Sequence, residues 1–216
     1  MKNKIHVNKV EILFLGDTDS GKTEMIERFV HRNIDLEYTA GVGIYEKKIK
    51  YKNKEYNIQF HDTSGQERYR SIMPSYYHMA NGFFVVFDLT KESSLLSARD
   101  WIESVEDNIK EPKIIILGNK DESKEKKIPD EVINKEIGGY KYKFIKVSSN
   151  KNIIKAIEEL IDLLEEESEK RIKDFLQLNK AKHPKKREKS KKKIIDNDKN
   201  DNVNYNYNKL KKYIDF

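Results

Sequence analysis

Apolar positions alternate along this chain between two rhythms, one of strands and one of helices. Residues 9–15, with Val10, Ile12, Leu13, Phe14 and Leu15, predict a buried strand. Met25, Ile26, Phe29 and Val30 recur at helical spacing and predict a helix over 22–31. Residues 42–51 and 55–61 predict two strands folded into a hairpin around Lys52-Asn53-Lys54. Residues 83–87 and 113–117 are short, almost wholly apolar runs, the pattern of central parallel strands buried on both faces. Between them Leu95, Leu96, Trp101, Ile102 and Val105 predict a helix over 93–109. Residues 143–147 alternate and predict a last strand. Ile153, Ile157, Leu160, Ile161 and Leu164 then lay one apolar stripe on a long helix over 152–178. This order implies an α/β domain with a mostly parallel sheet, helices on both faces, and ligands at the carboxyl ends of strands.

The pattern ends near residue 179. Hydrophobic and charged residues each make up 37% of the chain, a low apolar share for a fully packed protein. The charge is also uneven. Residues 176–216 hold 13 Lys/Arg against 5 Asp/Glu, whereas residues 1–175 hold 30 against 32, so the basic balance belongs to the tail. Residues 180–193 are dominated by nine Lys/Arg, and 196–208 are rich in Asn and Asp. Such a stretch buries too little apolar surface to offset its ordering entropy, which predicts a domain over 1–178 and a disordered tail over 179–216. The final Leu210, Tyr213, Ile214 and Phe216 are read as a frayed end rather than a docking peptide.

The absence of cysteine rules out a disulfide framework and a thiolate metal site, and fits a cytoplasmic setting. The five histidines have no metal-ligand spacing. The first residues lack an apolar signal core, and no apolar run approaches a bilayer span. Lys2 precludes myristoylation at that position, and there is no cysteine to prenylate.

Candidate chemistry begins at Gly16-Asp17-Thr18-Asp19-Ser20-Gly21-Lys22-Thr23, which fits Gly-x-x-x-x-Gly-Lys-[Ser/Thr] between a predicted strand and a predicted helix. Main-chain N–H groups of such a loop cradle phosphates, and the helix N-terminus adds partial positive charge. Lys22 is placed to reach the β- and γ-phosphates, and the Thr23 hydroxyl to ligate Mg²⁺. After the strand ending at His61 comes Asp62-Thr63-Ser64-Gly65-Gln66-Glu67. Asp62 is a candidate Mg²⁺ ligand through water, Gly65 N–H a donor to a terminal phosphate, and Gln66 the residue that orients an attacking water. Asn119-Lys120-Asp121-Glu122 follows the strand at 113–117. Asn119 and the Lys120 stem can hold a base. A carboxylate two residues beyond Lys120 can accept from guanine N1–H and N2–H, where adenine has no donors. Ser148-Ser149-Asn150 can offer a main-chain N–H to the guanine carbonyl.

In this order, these motifs resemble the small GTPases of the Ras superfamily, and most of all the Rab branch. The resemblance covers residues 8–178. It rests on 16–23, on Thr39-Ala40-Gly41-Val42, on the run from Asp62 through Arg68-Tyr69-Arg70-Ser71-Ile72 to Ser75-Tyr76-Tyr77, and on Val85-Val86-Phe87-Asp88-Leu89-Thr90. It implies a P-loop small G-domain with a six-stranded sheet, one strand antiparallel. It also implies a GTP/GDP switch, with Mg²⁺ held by Thr23, Asp62 and, in the GTP state, Thr39. Hydrolysis would be slow and stimulated by a partner. Effectors would read 40–45 and 68–77, an exchange factor and a GTPase-activating protein would act on the switch, and the usual setting is vesicle traffic by a monomer.

Departures from the pattern bear on each of these implications. The base motif normally reads Asn-Lys-x-Asp. Here Glu122 takes the fourth position with Asp121 one place early, and either carboxylate can serve. Ser148-Ser149-Asn150 stands for Ser-Ala-Lys. The first switch looks about two residues short between Thr23 and Thr39; Arg32, Asn33 and Ile34 stand where an aromatic usually covers the base, and beyond Phe29 of the predicted helix the one Phe, Tyr or Trp is Tyr38. Asp19 puts a carboxylate beside phosphates where the family prefers a small residue, which predicts weaker nucleotide retention. His61 stands where Rab proteins usually have Trp beside the second switch, and is read as a change of partner surface.

Without a prenyl site, the basic run at 180–193 is the candidate contact with an anionic membrane, at up to about 1 kcal/mol per Lys/Arg. A solvated tail with no membrane role is the alternative, and composition favours it slightly. Tyr205 and Tyr207 lie outside the basic run, so the interleaving of nucleic-acid binders is absent. The rival to the switch is a pseudo-GTPase scaffold, favoured by Asp19, Glu122 and the short first switch. An ATP-binding P-loop enzyme fits the loop but not the run after Asp62.

Overall fold

The computed structural model describes residues 7–30, 37–39, 42–65, 71–148 and 152–182. The expected tail falls outside them beyond Lys182, as do Gln66, Ser149, Asn150 and His31. A first compact unit runs to Ile161 and a second begins at Asp162.

The first unit is built on one mixed sheet. Strand β1 (Val7–Leu15) leads into helix α1 (Lys22–Val30). Strands β2 (Glu37–Thr39), β3 (Val42–Tyr51) and β4 (Lys54–Thr63) follow, then the short helix α2 (Pro74–Tyr77). Next come β5 (Gly82–Asp88), α3 (Glu92–Asn108), β6 (Ile114–Asn119), α4 (Asp130–Ile137), β7 (Lys143–Lys146) and the start of α5 (Ile153–Lys182). The strand order is β2-β3-β4-β1-β5-β6-β7. Strands β4, β1, β5, β6 and β7 are parallel, and β3 runs antiparallel to β4. This is the expected six-stranded sheet, with the three-residue β2 added along the outer edge of β3.

Sequence patterns explain most of the elements. Every residue of β5 and β6 is buried, as continuous apolar runs require. The β3–β4 hairpin closes at Lys52-Asn53, with φ of 46° and 62°, and Lys54 pairs with Tyr51 inside the ladder. Two consecutive positive φ values are the mark of a two-residue turn whose twist matches that of the strands. On one sheet face Leu13, Leu15, Phe83, Val85 and Ile116 join Leu95, Ala98, Trp101 and Ile102 of α3 in a single core. On the other, Phe14 packs edge-to-face on Phe84 and Phe60, and Phe60 in turn meets Phe29 of α1. A Cβ on Gly82 would sit 2.9 Å from Leu160, so the first turns of α5 lie against that strand.

Two helices were invisible to periodicity. α4 buries only Ile133 and Ile137 and starts after Pro129 with Asp130 and Glu131 in its first turn, a start signal rather than a pattern signal. α2 is a single turn opened by Pro74. α5 continues to Lys182, four residues past the expected end. In the second unit this helix carries the i,i+4 pairs Glu167–Arg171 and Glu169–Lys173, which support a helix through its exposed side.

Candidate functional site

The site forms where β1, β4, β5 and β6 end. β1 stops at Leu15 and the chain turns at Gly16, whose φ is 140°. A Cβ there would lie 2.1 Å from the Val86 carbonyl oxygen, so no other residue fits. The loop closes by Ser20 N–H donating to the Asp17 carbonyl and Met25 N–H to that of Gly21. Inside it, Lys22 Nζ donates to the Gly16 and Asp17 carbonyls, both at 2.8 Å, and to Ser20 Oγ at 3.5 Å. Burial lowers the ammonium from its ordinary 10.5 to about 8, against the pull of Asp62, Asp17 and Asp19. A desolvated cation caged by carbonyl oxygens is poised for an anion.

Thr23 Oγ1, in the first turn of α1, donates to Asp62 Oδ2 at 2.5 Å. Burial pushes the Asp62 carboxyl up, opposed by Thr23 and Lys22. Its other oxygen, Oδ1, is buried with no hydrogen-bond partner among the described residues. An adjacent hydroxyl and carboxylate, one oxygen of which is orphaned, are hard donors suited to Mg²⁺. No group of three or more His, Cys, Asp or Glu side chains that could hold a metal occurs among the described residues. The Thr23 hydroxyl and the Asp62 carboxylate supply two hard oxygen donors, a set that fits an ion keeping waters and phosphate oxygens as its remaining ligands.

The turn after β4 lies against the loop. Thr18 N–H donates to the Gly65 carbonyl at 3.2 Å, and Thr18 Oγ1 to that of Ser64 at 3.4 Å. Gly65 has φ of 68°, and a Cβ on it would meet Gly16 and Asp17 main chain at 2.6 Å. Thr39 contributes main chain, paired with Val42; its side chain, like Gln66 and Ser149, lies outside the description.

The base end is stitched to the phosphate end. Asn119 closes β6, and its Nδ2 donates to the Ser20 carbonyl at 2.9 Å, an approach possible because Gly21 has no Cβ. Asn119 Oδ1 is buried and unpartnered among the described residues. Lys120, at φ of 64°, donates to Asp88 Oδ2 at 2.6 Å. Asp88 is 1% exposed, and its Oδ1 accepts from both the main chain and hydroxyl of Thr90. Burial would raise this carboxyl, but the Lys120 and Thr90 hydrogen bonds outweigh it and hold it below its ordinary value. Asp121 N–H donates to the Val147 carbonyl and Val147 N–H to that of Gly118, which brings the buried Ser148 beside the base loop. Lys127 donates to the Asp121 carbonyl and lies 3.3 Å from its carboxylate, whereas Glu122 is exposed.

Thus the described parts of 16–23, Asp62, Gly65, Asn119, Lys120 and Ser148 lie together at one end of the sheet. One expectation is corrected. His61 is 3% exposed and stands 3.3 Å from Glu11, not on a partner surface. The last four residues of β4 are all buried, so the alternation that would have turned His61 outward ends before it. Burial lowers its imidazole, against the pull of Glu11. Two contributors had been assigned no role in the site. Asp88 had one signal, a carboxylate at the end of an apolar strand; Trp101 read as ordinary core.

Residues 11–169 match the model of the Ras family. The chain is 30% identical over 172 residues to Ras-related protein Rab-27B of Homo sapiens, covering 72% of this chain and 79% of that one. It is 30% identical over 172 residues to Ras-related protein Rab-27A of Rattus norvegicus, covering 72% and 78%. Over 158 residues it is 34% identical to Ras-related protein Rab-8B of Dictyostelium discoideum, covering 71% and 77%. With the phosphate loop, the Thr23–Asp62 pair and the Asn119 contact already in place, these matches mean that the chain belongs to the Ras family of small GTPases and resembles its Rab members.

Proposed function

We propose that the protein is a Rab-type switch that binds GTP and GDP with Mg²⁺, hydrolyses GTP slowly until a partner stimulates it, and serves vesicle traffic. The observation that carries this reading is the desolvated Lys22 ammonium, held by its own loop carbonyls next to the orphaned oxygen of Asp62. Phosphate oxygens would replace those carbonyls around Lys22, while loop N–H groups and the N-terminus of α1 hold the rest of the polyanion. Mg²⁺, when held by Thr23 and Asp62, neutralises charge on the terminal phosphates. Gln66 orients the attacking water, and Thr39 and Gly65 N–H bind the triphosphate state. Asn119, the Lys120 stem and Glu122 hold guanine, with Ser148 and Ser149 offering main chain to its carbonyl. Effectors read 40–45 and 68–77, and an exchange factor and a GTPase-activating protein set the cycle. The protein works as a cytoplasmic monomer whose basic residues at 180–193 touch an anionic membrane surface.

Calorimetric titration of stripped protein with GDP, GTP, XDP and ATP, with and without Mg²⁺, tests the reading. Micromolar or tighter guanine binding with ATP excluded is the expected result. A second reading, a scaffold that binds nucleotide poorly, is favoured by one observation: the Asp19 carboxylate stands in the loop at φ of 63°. Failure of every nucleotide to bind would establish it in place of the switch.

A further inference from the structure

The chain has a single tryptophan, and it touches the phosphate loop. Trp101 sits in the middle of α3, 2% exposed among Leu15, Phe87 and Ala98 of the core. Its indole N–H donates to Asp17 Oδ1 at 3.3 Å, across 84 residues of sequence. Asp17 is the second residue of the loop and is partly exposed. Its carbonyl accepts from Lys22 Nζ at 2.8 Å and from Ser20 N–H at 3.3 Å. Its peptide also borders Gly65, where a Cβ would sit 2.6 Å from the Asp17 carbonyl carbon. One residue therefore holds the loop lysine through its main chain and α3 through its side chain. It also lies against the turn that follows β4.

A carboxylate in a phosphate loop repels the ligand unless something holds it. An indole N–H is a donor with no acceptor function, and when buried it needs a partner. The two requirements meet in this bond. We propose that Trp101 is a positioning residue for nucleotide retention: its indole keeps the Asp17 carboxylate turned to α3 and so fixes the loop carbonyl that holds Lys22. The inference rests on the proposed switch function.

Trp101→Phe removes the N–H and keeps most of the ring packing. Loaded with N-methylanthraniloyl-GDP, the W101F protein should release it about tenfold faster than wild type, the change that loss of one hydrogen bond to a charged group carries. In an Asp17→Ala background, which lacks the acceptor, the same Trp101→Phe change should leave release unaltered. Wild-type release in W101F would overturn the inference. So would an equal acceleration in both backgrounds, because packing alone would then be the cause. A wild-type protein that retains no nucleotide would overturn the switch itself. Retention by wild type with indifferent W101F removes only the role of Trp101. In the wild-type protein, emission from this one indole should change when bound GDP is stripped with a chelator, and constant emission would count against the bond's link to the loop.

Discussion

Asp88, a residue to which the sequence assigned no chemistry, sets the geometry of Lys120 in the base motif. It is buried, and three donors from Lys120 and Thr90 converge on it. Asp88→Asn keeps an acceptor but loses the charge, which should cost about 1 kcal/mol, the difference between charged and neutral hydrogen bonds. The carboxyl titrates below its ordinary 3.8 in the folded protein. Its stabilisation is therefore complete above that pH and fades as pH falls through the lower folded value. Urea denaturation should show the variant weaker at pH 7, with the gap narrowing as pH falls below 3.8. Asp19 poses the opposite case, a carboxylate with φ of 63° in the loop. Asp19→Gly removes both the charge and the strain, and should slow GDP release; faster or unchanged release would refute the repulsion argument. Two neighbouring carboxylates, Asp121 and Glu122, are the candidates for the proposed guanine contact. Lys127 engages Asp121, which on the proposed reading assigns guanine to Glu122. Glu122→Gln should weaken guanine binding by about tenfold or more, while Asp121→Asn leaves it within twofold. Isothermal titration of both variants with GDP decides between them.

At the scale of elements, the all-buried strands carry the domain and align the site. β6 is covered on both faces and places Asn119 at its end, next to Ser20. Truncating Ile116, which is fully buried at its centre, removes contacts that cannot be replaced. Ile116→Ala should cost about 2–5 kcal/mol and lower the melting temperature by about 2–4 °C for each kcal/mol. Scanning calorimetry measures this directly, and a loss under 1 kcal/mol would mean the strand is less tightly packed than described. These strands were legible because a continuous apolar run has few alternatives. α4 was not, since Ile133 and Ile137, four apart, are too few to define a stripe in eight residues. The register of β5 against β6 was also beyond reach, yet it sets Asp88 directly opposite Asn119.

The molecule as a whole joins a compact nucleotide-binding unit to a charge-rich carboxyl segment. The net charge of residues 1–175 is slightly negative, and nine of the thirteen basic residues of 176–216 lie in 180–193, so the proposed attraction to an anionic surface centres on that run. Sedimentation with phosphatidylserine vesicles should capture the protein at low ionic strength and release it as salt screens the charges. Replacing the Lys/Arg residues of 180–193 by Gln should abolish capture while leaving nucleotide binding intact. Absence of wild-type sedimentation at low salt would end the membrane proposal.

The sequence by itself determined six of the strands, the principal helices, the phosphate loop and the family resemblance. Each of these is written in short stretches, where spacing along one element decides which side is buried and which glycines are needed. Tertiary structure alone decided that Trp101 meets Asp17, that Asp88 meets Lys120 and that His61 is enclosed beside Glu11. Those pairings depend on how separate elements stack and on strand register. Periodicity records neither, because it describes one segment's exposure and not the identity of what covers it.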